Sequence, residues 1–110
     1  MDLYILRHAD AWPLGEQGIR TDEERFLTKR GEQQARRAGQ ALVQLGVHPR
    51  LVWSSPWLRA RQSAELLMRA WPNLPALHLM PDLVPPGDLP ALLLAIRQEK
   101  GGNGRVERQI

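Results

Sequence analysis

The chain has no cysteine, which excludes disulfides, thiolate metal sites and a cysteine nucleophile. That absence fits a reducing compartment, and a cytoplasmic location is the expectation. Lysine is scarce as well. Two lysines stand against 13 arginines, and the formal charge is +3, but Asp22, Glu23, Glu24, Glu32 and Glu65 are interspersed among them. So mixed a balance excludes a nucleic-acid stripe, while a basic surface still favours the approach of an anionic substrate. The start, Met1-Asp2 and then a short apolar run, has neither a charged n-region nor a long h-region. No signal peptide, transmembrane helix or membrane partner is expected. Internal repeats and glycine-rich phosphate loops of the P-loop or dinucleotide type are also missing. No two of the three histidines share an i, i+4 spacing, so nothing suggests a metal site. At 110 residues a single domain is expected, long enough to bury a core unaided.

What is present begins with Leu3-Tyr4-Ile5-Leu6, an apolar strand that ends in Arg7-His8-Ala9-Asp10. Residues 9–26, with Pro13, Gly15 and Gly18, read as a long loop on the active side. From Thr28, a capping residue, the pattern turns helical, with Ala35, Ala38, Leu42 and Leu45 on one face and Gly46 where a left-handed turn is needed. Leu51-Val52-Trp53 reads as a short buried strand ending at Ser54. Ser55-Pro56 reads as a second helix start, with Ser55 as cap and Pro56 at the first helical position. That helix should run to about Trp71, bury Ala60, Ala64, Leu67 and Trp71, and stop at Pro72. A third strand is expected within 76–80 and a proline-rich loop over 82–87. Asp88 should then cap a third helix carrying Leu89, Leu92, Leu93 and Ile96. Residues 101–110 are polar and glycine-rich and read as a frayed tail. Strands alternating with helices argue an α/β fold with a parallel sheet.

Chemistry in such sheets collects beyond the carboxyl ends of the strands. Arg7 and His8 stand there, offering a phosphate clamp and a nitrogen nucleophile, although an isolated Arg-His pair at a strand end is common. Arg59 adds a second signal. A cation in the first turn of a helix opposes the helix dipole, and it makes more sense with an anion between the helix start and the guanidinium. Arg7 and Arg59 would then share one phosphate. The alternative is that Arg59 is solvated or pairs with a carboxylate of the loop. Arg61, Arg69 and the set Arg30, Arg36 and Arg37 read as surface. His48 and His78 read as turn or packing residues, and the four tryptophans as core or half-buried cover.

Three segments in order then carry a resemblance: Arg7-His8-Ala9 after the first strand, residues 27–35 (LTKRGEQQA) opening the first helix, and residues 54–64 (SSPWLRARQSA) after the second strand. Together they resemble the histidine phosphatase superfamily, and they are similar to its short phosphohistidine phosphatases of the SixA type. The resemblance implies a three-layer α/β sandwich with a mostly parallel sheet, phosphoglycerate mutase-like, over an incomplete domain of residues 1–100 followed by the 101–110 tail. It implies His8 as the nucleophile, Arg7 and Arg59 as phosphate-binding residues, and Asp82 as the acid that protonates the leaving group. No cofactor or metal is implied. The implied partner is a phosphorylated protein, such as a histidine phosphotransfer domain, or a small phosphorylated molecule. The family also places a second histidine after a later apolar strand, in a segment resembling V-G-H-x-P, and no such segment follows His78 here. The expectation is a truncated member that lacks its C-terminal strands and leaves the first strand with an unpaired edge. Two functions stay open: a phosphatase working through a phosphohistidine, or a catalytically impaired, phosphate-binding remnant.

Overall fold

A computed structural model describes residues 2–74, 76–81, 92–96 and 105–109. The first strand, β1 (Asp2–Leu6), turns Tyr4 and Leu6 to the same side, where they are 8% and 3% exposed. That two-residue period defines the sheet's inner face. Helix α1 (Lys29–Gln44) starts where expected, because the Thr28 side chain accepts the Gly31 N–H and so satisfies one otherwise unpaired donor. It is followed by Gly46 at φ +77°, the left-handed conformation that only glycine adopts without strain. Ala35 and Leu42 are buried, but Leu45 lies past the helix end and is 58% exposed, against the expectation that it shares the buried face.

Strand β2 (Leu51–Ser54) leads into helix α2 (Leu58–Met68). The helix begins later than the Ser55-Pro56 pattern predicts. A residue before proline is pushed to extended geometry, so the Ser55 hydroxyl accepts the Trp57 N–H at 3.2 Å in a turn ahead of the helix, and Trp57 is the cap residue. Arg59 still falls in the first turn. The predicted stripe of Ala60, Ala64, Leu67 and Trp71 is buried throughout, at 6% exposure or less.

The sheet is completed by β3 (Leu77–Leu79), β4 (Leu92–Ile96) and β5 (Arg105–Gln109), in the order β3-β2-β4-β1-β5. Strand β4 lies antiparallel between β1 and β2, while β5 runs parallel to β1 and β3 parallel to β2. The chain therefore has the expected α/β architecture, with two corrections near its end. Leu92–Ile96 is a strand and not part of a third helix, since an unbroken five-residue apolar run satisfies a strand between two others as well as a helix face. Arg105–Gln109 is a strand rather than a frayed tail, its pairing supplied by the backbone of β1. With neighbours on both sides, β1 has no open edge. The predicted 82–87 loop and the Asp88 cap lie outside the described residues.

Both helices cover the inner face. Leu42, Ala64 and Leu67 meet Tyr4, Leu6 and Val52 in one core, which Val47 and Trp71 close through a Trp71 Nε1–H bond to the Val47 carbonyl at 2.9 Å. Gly39 lets the helices approach, because a Cβ there would collide with the Leu67 carbonyl. Among the described residues, no helix is long and apolar enough to cross a membrane.

Candidate active site

The chain leaves β1 at Leu6 and is taken over by both helices. The Ala9 N–H donates to Ser63 Oγ on α2 at 2.9 Å, and the Asp10 N–H donates to Gln34 Oε1 on α1 at 3.0 Å. His8 is thereby fixed at the carboxyl end of the strand. Its Nδ1 lies 2.7 Å from the Ala9 carbonyl, an acceptor only, so Nδ1 carries the hydrogen and Nε2 keeps the lone pair. That lone pair faces Arg59, whose Nε–H donates to Nε2 at 3.2 Å. Burial is the main influence on the ring and lowers its pKa from 6.5; the bond to Ala9 opposes this, and the charges of Arg59, Arg25 and Arg7 lower it further. The result is a half-buried imidazole favoured in its neutral form, with one unprotonated nitrogen whose lone pair is covered by Arg59.

Arg59 is 6% exposed, and all three edges of its guanidinium are engaged. Besides His8, it donates from Nη1 to the Asp22 carbonyl at 2.6 Å and from Nη2 to Asp22 Oδ2 at 3.1 Å. The Trp57 ring lies against it, 4.9 Å from centroid to Cζ. The Ser63 hydroxyl donates to the Arg59 carbonyl at 2.7 Å while accepting from Ala9, so one side chain ties the strand end to the helix.

Asp22 reaches this point on a loop pinched at its base. Ala11 pairs with Leu27, the Thr28 N–H donates to the Asp10 carbonyl at 3.0 Å, and Leu27 N–H donates to Gln62 Oε1 at 2.9 Å. Gly31 allows this closure, because a side chain there would strike the Asp10 carbonyl. Within the loop, Glu24 accepts from the Thr21 N–H and hydroxyl, and Arg25 Nε–H donates to the Trp12 carbonyl at 2.7 Å. Burial alone would raise the Asp22 pKa, but the hydrogen bond from Arg25 and the charge of Arg59 prevail and hold it below the usual carboxylate value. A cavity of about 250 Å³ opens beside Arg7, His8, Gln34 and Ser63.

The sequence-derived residues His8 and Arg59 are thus in contact, and exposed Arg7 stands beside them at the strand end. Asp82 lies outside the described residues. Of the two readings of Arg59, pairing with a loop carboxylate is what the structure shows. Which carboxylate does so was not legible, since Asp22, Glu23 and Glu24 are adjacent. Ser63 and Trp57 were also missed; a serine beside the Ala60/Ala64 stripe was the available signal for the first. His48 and His78 are exposed, and neither is a hydrogen-bond partner of His8. A lone-pair nitrogen flanked by guanidinium groups is equipped to hold a tetrahedral oxyanion and to attack its central atom.

The profile of the histidine phosphatase superfamily (branch 1) matches residues 3–84. An uncharacterized protein of Picosynechococcus sp. is 39% identical over 93 residues, covering 84% of this chain and 54% of that protein. The mitochondrial serine/threonine-protein phosphatase Pgam5 of Drosophila persimilis is 32% identical over 66 residues, 60% of this chain and 22% of its own length. Among solved structures, the protein histidine phosphatase SixA complexed with tungstate is similar with a TM-score of 0.63 and 26% identity, over 74% of this chain and 49% of that one. A protein of Agrobacterium tumefaciens assigned as a phosphohistidine phosphatase SixA shares the fold with a TM-score of 0.62 and 22% identity, over 74% of this chain and 51% of that one. The chain spans about half the length of the first of these relatives and of both solved structures.

Proposed function

Because the chain belongs to the histidine phosphatase superfamily, we propose that it is a cytoplasmic phosphatase that works through a phosphohistidine at His8 and acts on protein phosphohistidine. The observation that carries this reading is the division of labour across the His8 ring: Nδ1–H on the Ala9 carbonyl, and the Nε2 lone pair toward Arg59. Nε2 attacks phosphorus and the bond from phosphorus to the leaving nitrogen or oxygen breaks. Asp82 gives its carboxyl proton to that leaving atom. The ring then carries positive charge, which the Nδ1–H bond to Ala9 stabilises, while Arg7 and Arg59 meet the phosphoryl oxygens. Water next attacks phosphorus and gives a proton back to the Asp82 carboxylate, the bond to Nε2 breaks, and phosphate leaves. Tungstate bound to a SixA relative, a tetrahedral oxyanion like phosphate, supports an oxyanion seat in this fold.

The test is a phosphoryl trap. Incubation with a protein carrying radiolabelled phosphohistidine, followed by alkaline quenching, should leave acid-labile label on the chain and none on His8→Ala. Label that persists in His8→Ala would overturn the role of His8. The second reading, a phosphate-binding protein that does not turn over, is favoured by the exposed positions of His48 and His78, which leave His8 without a second histidine among its partners. Phosphate binding without any label would decide for it.

A further inference from the structure

The fork of Arg59 that would grip two phosphoryl oxygens is already gripping Asp22. Nη1 and Nη2 hold the carbonyl and the carboxylate of that one residue, and Nε covers the lone pair of His8. A guanidinium fork fits carboxylate and phosphate alike, so Asp22 and an incoming phosphoryl group want the same donors. The other carboxylate oxygen, Oδ1, accepts from Arg25 Nη1 at 3.1 Å. The carboxylate therefore bridges two arginines, and it can give up one without losing the other.

We propose that Asp22 is a built-in competitor of the substrate, capping Arg59 and yielding it to a phosphoryl group while Arg25 retains Oδ1. This rests on the reading of His8 and Arg59 as a phosphate site. Three features favour a cap over a permanent brace. Asp22 is the mobile partner by position: its side chain is 39% exposed against 7% for Arg59, so it can withdraw to solvent while the arginine stays packed. It is charged, and so it competes as an anion. A phosphoryl group brings about two negative charges at neutral pH against one on the carboxylate, with exposed Arg7 beside the site to receive the surplus. The cap thus selects for dianionic phosphoryl groups and against carboxylates, which only match Asp22 in charge. Displacement also draws Arg59 Nε toward the phosphoryl group, which releases the His8 lone pair when there is something for it to attack.

Titration of the chain with inorganic phosphate by calorimetry distinguishes cap from brace by sign. Asp22→Asn, which keeps the size and removes the charge, and Asp22→Ala should both tighten phosphate binding, by about threefold to tenfold. Unchanged or weaker binding in variants that retain the wild-type helical circular dichroism would overturn the proposal. A second measurement needs no variant. On addition of phosphate to the unaltered chain, the Asp22 side-chain carboxyl 13C resonance should shift as Arg59 leaves it. If phosphate binds and that resonance stays put, the cap fails while the phosphate site stands. If phosphate binds to neither the unaltered chain nor the variants, the site itself fails and the cap with it.

Discussion

At His8 a proton would have to enter between two donors' territories. Protonation of Nε2 sets an N–H against the Nε–H of Arg59, in a partly buried place ringed by Arg25 and Arg7. Burial and these charges together put the folded-state pKa below the 6.5 of an unperturbed histidine. Two consequences share one sign. Between the lowered value and 6.5 the unfolded chain binds more protons than the folded one, so stability rises with pH through that window and is constant above it. Below it, the charged ring penalises the fold in full. The acid limb of any phosphoryl transfer should likewise lie below 6.5. An NMR titration of the His8 ring beside urea unfolding over the same pH range checks both, and a pKa at or above the ordinary value would sink the assignment. At this scale the sequence was informative where a residue's position in its element is itself a signal. Arg7 and His8 are legible because a strand delivers them, and Arg59 because a cation at a helix start needs an explanation. Asp22 was not, since three consecutive carboxylates in a loop are equivalent until the loop's closure aims one of them.

Helices α1 and α2 were legible to within a turn, because an apolar stripe marks each of them, joined at α1 by the Thr28 cap and Gly46, whereas the Ser55 cap expected for α2 lies in the turn ahead of it. Strands β4 and β5 were not, and for different reasons. Leu92–Ile96 carries no period that separates strand from helix, and its state is set by the two backbones on either side. Arg105–Gln109 has one apolar residue in five, so only its pairing to β1 makes it a strand. The contact between α1 and α2 rests on a choice that helix propensity opposes. Replacing glycine by alanine inside a helix normally stabilises by about 0.5–1 kcal/mol. At Gly39 the added methyl would run into the Leu67 carbonyl and sit 3.0 Å from the Ala70 Cβ, both in or just after α2. Crowding of this kind costs about 1–3 kcal/mol and should win. Gly39→Ala is therefore expected to lower stability in urea unfolding; a gain would show that the helices tolerate a wider separation than the structure indicates.

Across the whole molecule, sheet and helices converge on one end of β1. The α/β architecture is the one expected, and it shares its fold with the SixA structures. The strands that flank β1 nevertheless come from the part of the sequence that was hardest to read. Asp82, the expected acid, also belongs to that part, whereas His8 and Arg59 come from the first 60 residues, where the local signals are consistent. Between those two stands the Ser63 hydroxyl, which accepts from Ala9 and donates to the Arg59 carbonyl. Its consequence is one of timing. The Ala9 amide hydrogen can meet solvent only when strand end and helix part, so its exchange rate should report how often His8 and Arg59 come out of step. In Ser63→Ala that amide should exchange much faster while the amides in the middle of α2 keep their protection; equal protection in both proteins would mean that the two halves of the site keep time by other means.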